Sequence, residues 1–412
     1  MPEFNPLYTA LVIAAVVAGI QGYCAYLILG ERLVAAWVQD RFGPNRVGPF
    51  GLLQPVADGG KMFLKEDVIP SHVDKIFFVA APMVSFATAM LAIAVVPFGG
   101  TVAPFVPQAD VAGFVAESQR VGQGFGYAVQ PGLDIGILFV FAVGSLAPYG
   151  VILAGWSSDN KYSLLGALRA SAQIISYEIP LGLSVVGAAL FAGTFNLEGI
   201  IAWQNSGGHS WLIFTQPLAF LLFLVSVFAE CNRLPFDLPE AEQELVGGYH
   251  TEYSNSMKLG LMLLSEYAHM LTVSLVMSAV FFGGWGLFGL ESLVTNPTAG
   301  ALLKLAILIG KMSAFAAFFL LVRWTIPRFR FDQLMGLAWK VMIPLATLHL
   351  LGVLLVREYD LPLPVLTVIS AGLFVAGGVW TLLRAGGNNN APRRRPDLIL
   401  PNVPAGVTYI AR

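Results

Sequence analysis

Three carboxylates lie inside stretches of sequence that are otherwise apolar: Glu178, Glu230 and Glu266. An ionised acid at the centre of a membrane helix costs on the order of 2.5–3.5 kcal/mol, so such a residue needs a partner, a hydrated pocket or a proton. At a rise of about 1.5 Å per residue, Glu178 and Glu266 stand roughly 12 Å into their apolar runs. Beside them runs the connection RLPFDLPEAEQELVGGYHTEYSNSMK, from Arg233 to Lys258, with Asp237, Glu240, Glu242, Glu244 and Glu252. Glu240 and Glu244 stand four apart and would repel on a helix by a few tenths of a kcal/mol. Crowded like charge favours the protonated form of a carboxylate. Three acids at similar depth, opening onto an acidic connection, fit a shared hydrated pocket or a proton relay. Buried structural ion pairs with Arg233 or Arg169 are the alternative, and a solvated acidic loop is the plain reading of the connection itself. Pro180 adds a local signal, because it removes the backbone donor that would meet the carbonyl of Ser176 beside Glu178.

Other chemistries find no anchor. Glu266 and His269 form one Glu-x-x-His pair, whereas di-iron bundles use two copies with further Glu ligands, so no metal is expected. His269 could couple to Glu266 or simply pack. Cys24 and Cys231 are the two cysteines, too few for a disulfide framework or an iron–sulfur cluster. No Gly-x-Ser-x-Gly turn or Walker A pattern occurs, and Gly122-Gln-Gly-Phe-Gly126 lacks the strand and helix that a dinucleotide site needs. No residue of the chain is therefore expected to carry hydride or electron transfer.

The elements that must hold these residues follow from composition. Of 412 residues, 56% are hydrophobic and 12% charged, and mean hydropathy is +0.72. A soluble domain carries roughly 25% charged residues, so a soluble enzyme and a disordered chain are excluded. A net charge of −2 offers no surface for nucleic acid. A membrane helix needs about 20 mostly apolar residues. Nine stretches qualify: Pro6–Leu29, Lys75–Pro97, Leu133–Trp156, Ala170–Gly193, Trp211–Cys231, Met257–Trp285, Ala299–Val322, Trp339–Arg357 and Leu363–Leu383. Their continuous apolarity favours helices over barrel strands, and no interruption or inverted repeat is legible. The chain reads as an all-α polytopic membrane protein with a single domain over 1–385 and an Arg-containing tail over 386–412, disordered or extended on a partner.

Lys and Arg gather in alternate connections (30–74, 157–169, 232–257 and 323–338) and in the tail, while Arg120 and Arg357 fall opposite. By the positive-inside rule those connections are cytoplasmic, with the N-terminus outside and the C-terminus inside. The start Met1-Pro2-Glu3-Phe4 has no basic region, so no signal peptide is expected. In the first connection, Arg41-Phe-Gly-Pro-Asn-Arg-Val-Gly-Pro49 spends two prolines and two glycines on a fixed, turning backbone. After it Leu53, Ala57, Gly60 and Leu64 share one helical face and Asp58, Lys61 and Lys65 the other, which predicts an amphipathic helix lying at the interface.

At these connections the sequence resembles a known family. Glu31-Arg32 and QDRFGPNRVGPFGLLQPVADGGKMFLKE (39–66) resemble the H-type membrane component of bacterial NADH–quinone oxidoreductase, respiratory complex I. So do GWSSDNKYSLLGALRASAQIISYEIPLGL (155–183), FAECNRLPFDLPEAEQELVGGYHTEYS (228–254) and PRFRFDQLMGLAWKVMIP (327–344). The resemblance implies eight or nine transmembrane helices in the bacterial inner membrane. It implies a place where the proton-pumping arm meets the redox arm, and a quinone-access tunnel between the first and sixth helices and the interfacial helix. The substrate implied is a quinone, ubiquinone or menaquinone, with FMN and iron–sulfur clusters on partner subunits. The implied partners are the peripheral-arm subunits of the quinone site, small membrane subunits, antiporter-like subunits and lipid. Glu178, Glu230, Arg233, Glu240, Glu242, Glu244 and Glu266 match positions lining the charged passage into the membrane, and Asp237 and Glu252 of the same connection are grouped with them. Glu31, Arg32, Arg41, Arg46, Asp58, Lys61, Lys65, Arg323, Arg328, Arg330 and Asp332 match motif positions around the tunnel and the arm interface.

The chain departs from the family's pattern at Leu33, where Lys is common, at Asp134 and Asp159, where Asn is usual, and at His269. The stretch from Tyr253 to Met257 reads one residue long, and nothing carries over to the outer segment 98–132 or the tail. The membrane anchor of an energy-converting hydrogenase is the nearest alternative. A free-standing secondary transporter would need inverted repeats and broken helices, and purely structural anchoring leaves the intramembrane acids unexplained.

Overall fold

The computed structural model describes residues 6–98, 134–205, 210–238, 246–253, 257–289 and 297–387, and among them every regular element is helical. Seven helical segments of these residues are long and apolar enough to cross a membrane: Ile13–Val38, Lys75–Ile93, Gly136–Ser157, Lys161–Ala192, Met257–Phe281, Leu302–Thr325 and Phe331–Glu358. Pro217–Glu230 and Leu363–Val379 are shorter apolar helices at the two remaining stretches. Glu240, Glu242, Glu244, the outer segment and the tail beyond Gly387 lie outside the described residues.

In chain order the elements are α1 (Pro6–Val38), α2 (Gln54–Leu64), α3 (Lys75–Ile93), α4 (Gly136–Gly144), α5 (Ala147–Ser157), α6 (Lys161–Ala192) and α7 (Leu197–Asn205). There follow α8 (Leu212–Thr215), α9 (Pro217–Glu230), α10 (Met257–Phe281) and α11 (Pro297–Thr325). The last are α12 (Phe331–Leu337), a π-helical turn (Ala338–Met342), α13 (Ile343–Glu358) and α14 (Leu363–Gly387). The connections read as basic meet at one end of the bundle, since Arg323 reaches Glu31, Arg328 reaches Asp237 and Lys258 reaches Asp67. We call this end the charged face.

Two spans that read as continuous are interrupted. Pro148 in the first turn of α5 has no N–H for the carbonyl of Gly144, and the chain turns at Ser145 and Leu146 between α4 and α5. Pro217 acts likewise after Gln216, whose φ of −129° and ψ of 58° break α8 from α9. Elsewhere the helix runs further than apolarity alone shows. Asn160 caps α6, its side chain accepting from the Tyr162 amide at 3.0 Å, so residues 161–169 are helix rather than connection. Gly193, at φ 72°, closes the same helix in the left-handed conformation.

Small residues let helices meet closely. A Cβ on Gly155 would stand 2.3 Å from the Cβ of Ala167, and one on Gly150 would stand 2.1 Å from the Ser85 hydroxyl. Backbones of α3, α5 and α6 therefore approach with no side chain between them, the usual device where lipid supplies no hydrophobic drive. At the opposite end, Lys311 of α11 donates to the carbonyls of Phe282, Gly284 and Gly286 at 2.6–2.7 Å, over the ring of Trp211. All three ammonium donors are thus satisfied where the α10 carbonyls run out, which accounts for a lysine inside a span.

Candidate functional site

The site is built on the charged-face ends of α1, α9, α10 and α11. After Glu230 the chain leaves α9 through Asn232, which takes a positive φ of 50° as asparagine tolerates. Gln173 of α6, fully buried, holds this turn: its amide donates to the carbonyls of Ala229 and Phe236, both at 2.7 Å. Farther along, Phe329 N–H donates to the Pro235 carbonyl at 3.1 Å, and Arg328 donates to the buried Asp237 at 3.0 Å. The turn is pinned from both sides, and Arg233 projects inward from it.

Arg233 is 7% exposed and stands 3.8 Å from both Glu31 and Glu266, with its guanidinium 4.1 Å from the centre of the Tyr267 ring. Glu31 also pairs with Arg323 and accepts from the Tyr267 hydroxyl at 2.5 Å. Glu266 accepts from Tyr249 at 3.0 Å. Two acids from α1 and α10 are thus joined by one arginine in a buried, aromatic-lined pocket.

Glu31 has a second aspect. It lines a cavity of about 690 Å³ on the charged face, together with Arg32, Arg41, Arg46, Gln54 and Trp324. Arg32 closes onto Asp58 of α2 at 2.6 Å, and Gln54 donates to the same carboxylate at 2.9 Å. Lys61 and Lys65 line a neighbouring cavity of about 660 Å³ with Asp58. No residue of α2 is buried, and Val56, Phe63 and Leu64 are exposed, as an interfacial amphipathic helix requires.

Deeper, a small cavity of about 50 Å³ is lined by Glu230, Glu266, His269, Tyr249, Ser85 and Ser265. It has room for water beside these polar groups. His269 Nε2 stands 3.2 Å from Glu230, so its partner is the acid of the neighbouring helix and not Glu266 on its own. Gly144 makes space for that carboxylate, because a Cβ there would lie 3.2 Å from Glu230 Oε1. Glu178 is half-buried on α6, near enough to Glu230 for the two charges to interact. Contacts thus run from Glu31 through Arg233 to Glu266, which shares the inner cavity with Glu230 and His269.

Glu252 lies apart from this line, 3.5 Å from His72 and accepting from Asn160 at 2.7 Å. Arg41 bonds Gln39 at 2.7 Å. Arg330 and Asp332 are exposed at the start of α12 and stand away from the buried cluster. Tyr249, Tyr267 and Gln173 do not stand out in the sequence, since a polar aromatic or amide in an apolar run gives no charge signal. Among the described residues no cluster of three or more His, Cys, Asp or Glu could hold a metal.

The loop between α9 and α10 carries a pH-sensitive group. Burial pushes His250 down to about 4 from its ordinary 6.5. The folded loop therefore takes neutral His250, while the unfolded loop binds a proton below about 6.5. Its stability should be full above that pH and decline as pH falls toward 4, by up to about 3 kcal/mol. Amide hydrogen exchange of residues 248–253 measures this, and His250→Gln should abolish the decline.

The family model described as NADH dehydrogenase matches residues 10–354. The chain is 46% identical over 326 residues to the first of the H-type components of NADH-quinone oxidoreductase in Cytophaga hutchinsonii, covering 79% of this chain and 90% of that one. It is 44% identical over 369 residues to NADH-quinone oxidoreductase subunit 8 of Thermus thermophilus, covering 89% and 91%. Against the H-type component of the same enzyme in Flavobacterium johnsoniae the identity is 42% over 353 residues, covering 85% and 95%.

Proposed function

The chain belongs to the NADH dehydrogenase family as an H-type membrane component of NADH-quinone oxidoreductase, and from that premise we propose that its charged face receives a quinone and its buried carboxylates relay the resulting charge change into the membrane. The observation that carries this reading is the double position of Glu31. It faces the 690 Å³ cavity and also pairs with Arg233, which leads to Glu266 and the inner cavity. The surface cavity, walled by the loop 41–46 and by α2, is the quinone-access tunnel. Its apolar rim on α2 meets the bilayer, where a quinone dissolves, and its polar end suits the headgroup.

Reduction of a quinone by two electrons draws two protons or leaves negative charge at the headgroup. A unit charge appearing about 10 Å from a carboxylate changes its energy by roughly 1.7 kcal/mol at an effective dielectric of 20. That is somewhat more than a tenfold change in proton affinity. Glu31, Arg233 and Glu266 transmit the change, and Glu230, His269 and Glu178 exchange protons beneath it. The electrons arrive from FMN and iron–sulfur clusters on peripheral-arm subunits, and antiporter-like and small membrane subunits receive the output. The basic connections face the cytoplasm of a bacterial inner membrane. Glu240, Glu242 and Glu244 are assigned to the acidic path by the resemblance of their motif alone, while Arg328, Arg330 and Asp332 meet the peripheral arm.

Glu178→Gln tests the relay. The assembled complex should keep its rate of NADH oxidation by an artificial acceptor at the flavin site. Its NADH:quinone turnover and proton pumping should drop about 100-fold or more, the lower end of what a positioned proton-transfer group contributes. Full quinone turnover with full pumping would sink the proposal.

A further inference from the structure

A second polar cavity opens on the charged face away from the quinone chamber. It holds about 810 Å³ and is lined by His72, Asp74, Asp159, Asn160, Lys161 and Glu252. Glu252 stands 3.5 Å from His72 and accepts from Asn160 at 2.7 Å. The basin and the inner cavity lie along one seam formed by α3, α5 and α6. On α5, Gly155 lines the basin and Val151 lines the inner cavity. Four residues of helix span about 6 Å.

The seam between them is filled by small side chains and two tyrosines. Ala81, Ala154 and Ala167 pack there, the Tyr253 ring stacks on Phe78 at 4.0 Å, and the Tyr253 hydroxyl donates to the Phe78 carbonyl at 3.0 Å. Tyr249 passes through the same cluster, lines the inner cavity and donates to Glu266. One short loop, 248–253, therefore carries Glu252 in the basin and a phenol bonded to the inner carboxylate.

The quinone side differs in charge. Arg233 stands between Glu31 of that chamber and Glu266, and Arg323 adds a second guanidinium on Glu31. They transmit an electrostatic change well but repel an excess proton. The basin has three carboxylates against Lys161 and His72, so protons are drawn to it.

We propose that the His72–Glu252 basin is a proton inlet to the inner cavity, separate from the quinone chamber. This rests on the relay reading of Glu178, Glu230 and Glu266. Glu252 takes a proton from bulk water and yields it to a water admitted between the small side chains of the seam, which hands a proton on to Tyr249. The proton arrives on the Tyr249 oxygen as the phenol's own proton passes to the Glu266 carboxylate, and Glu252 returns to its ionised form. The quinone then supplies the field and the basin supplies the protons.

The test uses the whole complex in proteoliposomes. The double variant His72→Asn with Glu252→Gln should assemble, retain artificial-acceptor activity and lose about 100-fold in quinone turnover and pumping. Asp159→Cys, treated from the aqueous side with a cationic methanethiosulfonate that puts a positive charge where a carboxylate stood, should lose turnover relative to its untreated form, with the treated parent complex as control. Cys24 and Cys231 are buried and add no background. Unchanged turnover and pumping in the double variant, or no effect of the reagent at Asp159→Cys, overturns the inlet. If Glu178→Gln still abolishes pumping in that case, the relay stands without the inlet. If Glu178→Gln is silent too, the relay itself falls.

Discussion

Arg233→Ala is expected to be the most damaging single change on the charged face. It removes the cation between Glu31 and Glu266, each 3.8 Å away, from a pocket where the arginine side chain is 8% exposed. Breaking a buried pair by deleting one partner costs about 3–5 kcal/mol, because the remaining charge stays desolvated. Here two carboxylates are left, and Arg323 with Tyr267 can serve only Glu31. The yield of assembled complex and its melting temperature should both fall, and turnover with quinone should be lost in what remains. Arg233→Lys should recover part of the stability but little of the coupling, since one ammonium cannot span both acids as a planar fork does. Combining Arg233→Ala with Glu266→Gln separates the two roles. The double variant should be more stable than the single by at least about 1 kcal/mol, as a coupled pair requires, while remaining uncoupled. Normal assembly and turnover in Arg233→Ala would mean that the bridge is incidental.

The same cluster shows what the sequence can and cannot convey. Apolar runs of bilayer length place the helices, and an acid inside such a run declares itself, so Glu178, Glu230 and Glu266 are legible. Their partners are not. Glu31 reads as part of the tunnel mouth, yet it also faces inward to Arg233 and Tyr267. His269 stands three residues from Glu266, which invites pairing on one helix, yet its ring turns to Glu230 on α9. Spacing along one helix cannot report the rotation of its neighbour. The breaks at Ser145 and Gln216 escape notice for a related reason. Hydropathy averages over a window, while a proline removes one hydrogen bond at one residue. The second break matters to the polar interior, since Gln216 donates to the Gly187 carbonyl at 3.3 Å. The amphipathic pattern of α2 is readable because exposure on one side and charge on the other are properties of the helix alone.

Gln173→Leu should reveal how far the cluster depends on a residue with no charge. The substitution nearly keeps the side chain's size in a fully buried place, so packing changes little. What disappears is an amide that donates to the Ala229 and Phe236 carbonyls at 2.7 Å and approaches Asn232 Oδ1 at 3.3 Å. Each buried carbonyl left without a donor costs about 1–3 kcal/mol, so the two together cost roughly 2–6 kcal/mol. The strain falls on the turn that begins at Glu230 and presents Arg233. That turn is also tied to Arg328 and Phe329, so it should loosen on its α6 side and remain attached on the other. The expected result is an assembled complex with a lower melting temperature, normal artificial-acceptor activity and reduced quinone turnover. Gln173→Glu makes the sharper comparison. It preserves shape but replaces the donor by an acceptor when ionised, setting a carboxylate against the same carbonyls near Glu230. Coupled turnover should therefore fall further in Gln173→Glu than in Gln173→Leu. The reverse order would show that the carbonyls find other donors and that the turn is held by its contacts with Arg328 and Phe329.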